Sequence, residues 1–123
     1  MNAEIINQFV ATWPSKDVDK LIAFFTEDAV YTNIPMGPPN TGKAAIRQFI
    51  EGFLQNTSSI RFDVHHQIEG ENGIVMNERT DYLDFNGNAI ALPVMGVFEL
   101  KDGKIAAWRD YFDMAPFNQQ PTE

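Results

Sequence analysis

The chain has 123 residues, a formal net charge of −8 and no cysteine. This length fits one domain, residues 1–123, with a single core, and the acidic surplus argues against binding to nucleic acid or anionic membranes, which require clustered Lys and Arg. The lack of cysteine excludes disulfides, thiolate nucleophiles and Cys-ligated zinc, whereas ten phenylalanines are enough to line both a core and an apolar cavity for a small, uncharged partner.

The first predicted elements are two short amphipathic helices. Apolar residues recur at helical spacing over residues 5–13 and again over residues 18–25, on either side of the Pro14-Ser15-Lys16 break. A short strand is predicted over residues 29–34, and the turn-forming residues 35–40 end it. These signals predict two helices followed by one strand.

A third amphipathic helix is predicted over residues 45–53, with Thr41 as its N-cap. Beyond it the pattern changes to strand-like runs. Asn86-Gly87 and Asp102-Gly103 each suit a tight two-residue hairpin, because both pairs tolerate positive φ angles. Helices followed by strands imply an α+β domain that contains an antiparallel meander. The four predicted strands of this meander span residues 60–68, 73–85, 88–100 and 104–113.

Charged side chains stand out on two of these predicted strands. Residues two apart on a strand share a face, so Arg79 and Asp81 point the same way, with Leu83 beside them. Asp110 lies between two aromatic residues on one face of the last strand. Such groups are costly to bury unless they serve each other or chemistry. The pattern therefore indicates a hydrolytic pocket.

Residues that could hold a water and an apolar ligand are present as well. Tyr31 and Asn33 share a face of the predicted strand 29–34. Together with an ionised carboxylate, a phenol and an amide oxygen can fix the orientation of one attacking water. Apolar side chains on matching faces are predicted to shape a cavity for a hydrocarbon ring. These predicted wall residues are Leu83, Leu92, Val94, Phe112 and Phe117, with Trp13 and Val10 from the first helix.

Four segments carry a resemblance to a known family, in the family's order and at compatible spacing. They are Tyr31-Thr32-Asn33-Ile34-Pro35, Asn77-Glu78-Arg79-Thr80-Asp81, Gly96-Val97-Phe98 and Trp108-Arg109-Asp110-Tyr111-Phe112-Asp113. With them the chain resembles the limonene-1,2-epoxide hydrolase family, which shares a cone-shaped fold with nuclear transport factor 2 and ketosteroid isomerase. The resemblance implies N-terminal helices packed on a curved, mixed, mostly antiparallel sheet that encloses an apolar pocket. It also implies a homodimer that pairs through the outer face of the sheet.

The resemblance further implies the one-step opening of a small apolar epoxide, cyclic or terpene-like, by water to give a vicinal diol. By position, Asp110 matches the general base and Asp81 the general acid, while Arg79 matches the residue that bridges the two carboxylates. Tyr31 and Asn33 match the residues that help to hold the water. The resemblance implies no metal, no other cofactor and no covalent intermediate. Since a guanidinium can donate to both carboxylates at once, the pair is predicted to share one proton.

Other interpretations of the same residues stay open. An arginine with two aspartates is also typical of a structural ion-pair network. An apolar pocket with an Asp and a Tyr also suits an isomerase or cyclase of the ketosteroid isomerase or polyketide cyclase type, or a non-catalytic ligand-binding domain. His65 and His66 are adjacent, hence on opposite faces of a strand, so neither is predicted to bind metal.

The two ends of the sequence add further expectations. The first residues lack a basic stretch before an apolar run, and nowhere is there an apolar run of about 18 residues that could span a bilayer, which predicts a cytoplasmic protein. The polar tail, residues 118–123, is expected either to fray or to fold over the mouth of the pocket.

Overall fold

A computed structural model describes residues 1–118, which form four α-helices and six strands. The helices are α1 (Asn2–Thr12), α2 (Val18–Ile22), α3 (Lys43–Gln55) and α4 (Ala115–Asn118), with 3₁₀ turns at Trp13–Ser15 and Ile34–Met36. The strands are β1 (Phe25–Asn33), β2 (Asn40–Thr41), β3 (Thr57–Glu69), β4 (Ile74–Phe85), β5 (Asn88–Lys101) and β6 (Lys104–Tyr111). The tail predicted to fray or to fold over the pocket mouth spans residues 118–123. Asn118 is the last residue of α4, and residues 119–123 lie outside the described residues.

All six strands belong to one mixed sheet, in the order β2-β1-β6-β5-β4-β3. Strands β3 to β6 form the predicted antiparallel meander, whereas β1 runs parallel to β6. The hairpins at Asn86-Gly87 and Asp102-Gly103 are confirmed, since all four residues adopt positive φ angles between 51° and 82°. Bulges between β3 and β4 and between β5 and β6 increase the local bend of the sheet. The predicted α+β architecture is therefore confirmed.

The second helix is shorter than predicted. It ends at Ile22 instead of reaching residue 25, and Phe25 begins β1. Phe25 pairs with Ile105 of β6, and the Ile105 N–H donates to the Phe24 carbonyl at 2.7 Å. Sheet pairing at this point prevails over the helical spacing of the apolar residues.

The predicted N-cap, Thr41, is wrong. Helix α3 begins at Lys43, and its N-cap residue is Gly42, whose φ is 93° and which has no side chain to cap the helix. Thr41 instead belongs to β2, where it pairs with Val30 of β1. Its backbone is used by the edge of the sheet and lies one residue too early for capping.

The last strand also ends earlier than predicted, at Tyr111. The Asp113 carboxylate accepts a hydrogen bond from the Ala115 N–H at 2.8 Å, which favours the turn into the short helix α4. Helix α4 brings the ring of Phe117 to 5.7 Å from that of Phe85 on β4. After β6, the chain therefore folds back so that α4 packs against β4.

Helices α1 and α3 bury their apolar sides in the core. Phe9 of α1 is fully buried and makes edge contacts with the rings of Phe25, Phe98 and Trp108. Burial of one such side chain contributes roughly 1.5–3 kcal/mol. Within the described residues, every helix is too short or too polar to cross a bilayer.

Candidate active site

One row of residues crosses five neighbouring strands of the sheet. Residues paired across neighbouring strands point to the same face, so register alone brings them side by side. The polar row, as we name it, consists of Gln67 on β3, Asn77 on β4, Gly96 on β5, Asp110 on β6 and Asn33 on β1. The side chains of Asn77 and Asp110 are polar and buried, so they need hydrogen-bond partners inside the protein.

Arg79 is the partner of both. It lies two residues after Asn77 on the same face of β4 and is 1% exposed. Its Nε donates to Asp81 Oδ1 at 2.7 Å, and its Nη2 donates both to Asp81 Oδ2 at 3.1 Å and to Asp110 Oδ2 at 2.6 Å. Its Nη1 donates to Asn77 Oδ1 at 3.1 Å. One guanidinium therefore joins two buried carboxylates and one buried amide.

Asp110 is held at both carboxylate oxygens. Its Oδ2 accepts from Arg79, and its Oδ1 accepts from the indole Nε1 of Trp108 at 2.6 Å. Trp108 is fully buried between the rings of Tyr31 and Phe98, whose centroids lie 4.1 and 5.4 Å away. Trp108 was not among the predicted site residues, although its spacing of two residues on a strand places it beside Asp110.

Gly96 provides the space in which these groups meet. A Cβ atom at this position would lie 2.5 Å from Arg79 Nη1, 3.0 Å from Asp110 Oδ1 and 3.1 Å from Asn77 Oδ1. Contacts this short are repulsive, since carbon packs best at about 3.5–4.0 Å from other heavy atoms. The close approach of three polar groups thus explains why glycine stands at the centre of the polar row.

Burial dominates the protonation of the two acids. Removal of the carboxylates from water raises the pKa of Asp81 to about 7 and also raises the pKa of Asp110, while the Arg79 guanidinium partly opposes both changes. Burial likewise opposes the charge of Arg79, but the two carboxylates raise the pKa of Arg79 above its usual value. The cluster is therefore neutral when the two acids hold one proton between them.

Tyr31 and Asn33, both on β1, lie beside the two acids. Asn33 pairs with Asp110 across the parallel strands, and the Tyr31 hydroxyl donates to Asn33 Oδ1 at 3.3 Å. Burial, and then the nearby Asp110 charge, raise the pKa of Tyr31 well above its usual value, so its phenol stays a donor. Both residues line the same cavity as Asp81 and Asp110, with Arg79 behind the acids. The structure thus brings the five predicted polar residues together.

An apolar cavity of about 320 Å³ lies in front of the acids. Six of the seven predicted wall residues line it, whereas Val10 of α1 packs against the core. Trp13, in the 3₁₀ turn that follows α1, is the predicted wall residue from this part of the chain that reaches the cavity. Phe49 and Phe53, one turn apart on α3, also line it, and core packing selects the same spacing. The lining residues that were not predicted are Met36, Phe49, Phe53, Ile60, Phe62, Phe85, Met114 and Asn118.

The two histidines lie away from the acids. His65 Nε2 is 2.8 Å from the hydroxyl oxygen of Thr80, and both His65 and His66 are exposed on β3. In the part of the chain that the structure describes, no group of three or more His, Cys, Asp or Glu is placed to hold a metal ion.

Comparison with known proteins shows likenesses over nearly the whole chain. Residues 6–108 match a family model described as a SnoaL-like domain. The chain is 31% identical over 112 residues to the epoxide hydrolase EphG of Mycobacterium tuberculosis, an alignment that covers 89% of this chain and 71% of that protein.

Solved structures extend the comparison to the fold. An LEH-like epoxide hydrolase of M. tuberculosis superposes with a TM-score of 0.80 at 26% identity, covering 94% of this chain and 84% of that chain. A protein of Shewanella putrefaciens, named for its likeness to SnoaL-like polyketide cyclases, gives a TM-score of 0.85 at 16% identity, covering 95% of this chain and 93% of that one. At that identity the second likeness shows a shared fold alone.

Proposed function

Because this chain belongs to the SnoaL-like domain family, we propose that it is an epoxide hydrolase of the limonene-1,2-epoxide hydrolase type. In this proposal it adds water to a small apolar epoxide, cyclic or terpene-like, and releases a vicinal diol. The name of its relative EphG supports the reaction class. The family resemblance and the cone-shaped fold predicted from the sequence are confirmed, and they supply the premise for assigning roles to individual residues.

One observation carries the proposal: a buried guanidinium joins two acids that both line an apolar cavity. The Arg79 donors lie 2.7 Å from Asp81 and 2.6 Å from Asp110. A structural ion-pair network of one arginine and two aspartates does not need a cavity in front of its acids. Epoxide opening does need a base for the attacking water and a proton donor for the leaving oxygen. Two identical acids can fill these roles if their environments separate their protonation states.

In the proposed reaction, ionised Asp110 is the general base. Two hydrogen bonds of 2.6 Å to its oxygens favour the ionised form. A water held by Asp110, Asn33 and Tyr31 attacks one epoxide carbon, and a proton of this water passes to Asp110 as the new C–O bond forms. The C–O bond between that carbon and the epoxide oxygen breaks, and its electron pair stays on the oxygen. This oxygen takes the proton from Asp81.

The proton count of the acid pair is unchanged after one turnover. Asp110 has gained a proton and Asp81 has lost one, so the pair again holds one proton. Arg79 donates to both carboxylates and therefore stabilises whichever is ionised. Transfer of one proton within the pair, or through water, restores the starting state without any bond between the enzyme and the substrate.

The cavity wall supports an apolar substrate. The rings of Phe53 and Phe85 stack with centroids 5.7 Å apart, and Phe117 meets Phe85 edge-on. Leu92 and Val94 of β5 complete the wall near the acids. A hydrocarbon skeleton can rest on these side chains while its epoxide oxygen faces the two acids.

Diol formation from limonene oxide and cyclohexene oxide by the purified protein is the direct test, followed by gas chromatography with mass detection. In heavy-oxygen water, a single turnover with excess enzyme should place solvent oxygen in the diol. An oxygen from the enzyme in that first turnover would reject the one-step mechanism. No diol, together with isomerisation of a ketone, would favour the isomerase or cyclase alternative, and tight binding without turnover would favour a ligand-binding domain.

The pH profile of kcat/KM should be bell-shaped, with its alkaline limb near the pKa of Asp81, about 7. Above that pH the acid pair loses its shared proton, and no acid remains to protonate the leaving oxygen. At lower pH a second proton binds, Asp110 is no longer a base and the rate falls again. Initial rates of diol formation across the pH range provide the measurement. A rate that stays constant from neutral to alkaline pH would contradict the shared proton.

Gly96→Ala should lower kcat/KM by at least about 100-fold, because the added methyl group must displace the Arg79 guanidinium. The matched control is Gly52→Ala on α3, where nothing lies within 4 Å of the added Cβ and alanine favours the helix. Gly52→Ala should keep the wild-type rate and the same or a higher melting temperature. Equal rates of diol formation by the two variants would refute the requirement for space at Gly96.

A homodimer is part of this proposal. On the outer face of the sheet, Met76, Tyr82, Met95 and Tyr111 are between 38% and 44% exposed. Exposed apolar patches of this kind mark protein interfaces, and a second copy is the partner that the resemblance implies. Light scattering after size-exclusion chromatography should give twice the chain mass, and a monomer at all concentrations would contradict it. The cytoplasmic location stays a prediction from the sequence.

A further inference from the structure

Two amides of the polar row, Asn77 and Gln67, do not line the cavity and link Arg79 to α1. Asn77 Nδ2 donates to Gln67 Oε1 at 3.1 Å. Gln67 Nε2 in turn donates to Asn7 Oδ1 at 2.9 Å and to the Ala3 carbonyl at 3.4 Å, both on α1. The candidate site is thereby joined to α1 through two side chains that are not among the cavity-lining residues.

The direction of each hydrogen bond in this chain of amides follows from Arg79. A guanidinium has donors and no acceptor, so Asn77 must turn its carbonyl oxygen towards Nη1. The Asn77 amide nitrogen then faces Gln67, which presents its own oxygen and donates onwards to α1. Reversal of the Asn77 amide would set two donors face to face and leave buried polar groups unsatisfied. Asn77 is therefore held in one orientation.

We propose that Asn77, anchored by Gln67, is a positioning residue that holds the Arg79 guanidinium where it reaches both acids, and that this position requires a neutral acceptor. The inference rests on the proposed epoxide hydrolysis. Asp81 and Asp110 contact Arg79 at Nε and Nη2, and Asn77 contacts it at Nη1. An ionised side chain at position 77 would put a third carboxylate around a single cation.

The charges around Asn77 determine what that third carboxylate would do. Asn77→Asp keeps the shape of the side chain and adds a negative charge to a buried cluster that is neutral with one shared proton. The added charge makes the loss of this proton less favourable, so the acids titrate at higher pH. Arg79 contacts Asn77 directly, and Arg79 in turn contacts Asp81 on β4 and Asp110 on β6. Tyr31 on β1 faces the two acids, and at the α1 end of the chain of amides the exposed Glu69 of β3 accepts a hydrogen bond from the Ala3 N–H.

Asn77→Asp is tested with two measurements. Nuclear magnetic resonance of carbon-labelled aspartate follows the titration of the buried carboxyl groups and needs no substrate. Both buried acids should titrate about one pH unit or more above their wild-type midpoints, and the acid limb of the diol-formation profile should move the same way. The matched control is Asn72→Asp, which makes the same change of charge at an exposed turn between β3 and β4 and should leave both measurements unchanged.

Asn77→Ala and Gln67→Leu test the anchoring without adding a charge. We expect kcat to fall about 10- to 100-fold in Asn77→Ala and by a smaller factor in Gln67→Leu, with KM within about twofold of wild type, because the lost hydrogen bond positions a charged group. Circular dichroism checks that each variant is folded. Gln67 is half-buried, so Gln67→Leu decides the question if the variants at position 77 do not fold.

Unshifted carboxyl titrations in folded Asn77→Asp would overturn the inference. Wild-type kcat in folded Asn77→Ala and Gln67→Leu would overturn it as well. If the wild-type protein opens no epoxide, the proposed function fails, whereas the carboxyl titrations still decide whether Asn77 sets the protonation of the acid pair.

Discussion

Asp110→Asn is expected to lower kcat/KM for diol formation by at least about 1,000-fold. An amide cannot take a proton from the attacking water near neutral pH. The substitution also leaves Arg79 with one carboxylate, so Asp81 ionises and ceases to be a proton donor. Both catalytic roles are therefore lost through a change at one residue, which makes this the largest effect that the site geometry predicts.

The fold of Asp110→Asn must be checked, because both Asp110 oxygens accept hydrogen bonds and an amide can accept at one of them. We expect a loss of about 1–3 kcal/mol in the free energy of unfolding, which circular dichroism and urea titration measure. Asp84→Asn is the matched control, since Asp84 lies on the opposite face of β4 from Leu83. Asp84→Asn should keep the wild-type rate. Residual diol formation within about tenfold of wild type in folded Asp110→Asn would reject Asp110 as the base.

Arg79→Lys is expected to lower kcat/KM by about 100-fold or more and the free energy of unfolding by roughly 2–4 kcal/mol. The lysine keeps the charge but lacks the planar fork, so one ammonium cannot reproduce the bonds from Nε and Nη2 to both carboxylates. Nη1 also has no counterpart, which leaves Asn77 Oδ1 without its donor. The acids then lose their fixed separation as well as part of their stabilisation.

Arg109→Lys, on strand β6 of the same sheet, is the matched control. Arg109 makes a 2.6 Å ion pair with Glu99, and its side chain is 33% exposed. A lysine can preserve much of such a pair, so we expect a change in unfolding free energy below about 1 kcal/mol and an unaltered rate. Diol formation at the wild-type rate in Arg79→Lys would show that the bidentate geometry at the two acids is not needed.

Local signals in the sequence account for most of the correct fold predictions. The two hairpins follow from dipeptides that tolerate positive φ, and the alternation of residues 77, 79 and 81 fixes which side chains share a face. The same alternation places Asn77 beside Arg79, but Asn77 was not predicted as a site residue because asparagine carries no charge. Gln67 could not be assigned, because a bulge between Val64 and His66 shifts the register of β3.

Other features depend on contacts between distant parts of the chain. Phe25 belongs to a strand because Ile105 pairs with it, and no local pattern near residue 25 reports that pairing. Phe49 and Phe53 face a cavity rather than filled core, although a helix that packs against a sheet shows the same spacing in either case. Whether the space in front of Phe49 and Phe53 is filled or left as a cavity depends on side chains from strands that are remote in sequence.

The parallel pairing of β1 with β6 has a consequence for the order of folding. Hairpins connect β3 through β6, so these strands can pair through contacts between neighbours in sequence. The pairing of Asn33 with Asp110 instead closes a loop that contains most of the chain, and such non-local contacts form slowly. During synthesis on the ribosome, β1 emerges before β6 and cannot pair with it until β6 has been made. The apolar cavity is therefore incomplete in the nascent chain until the strand that carries Asp110 has been synthesised.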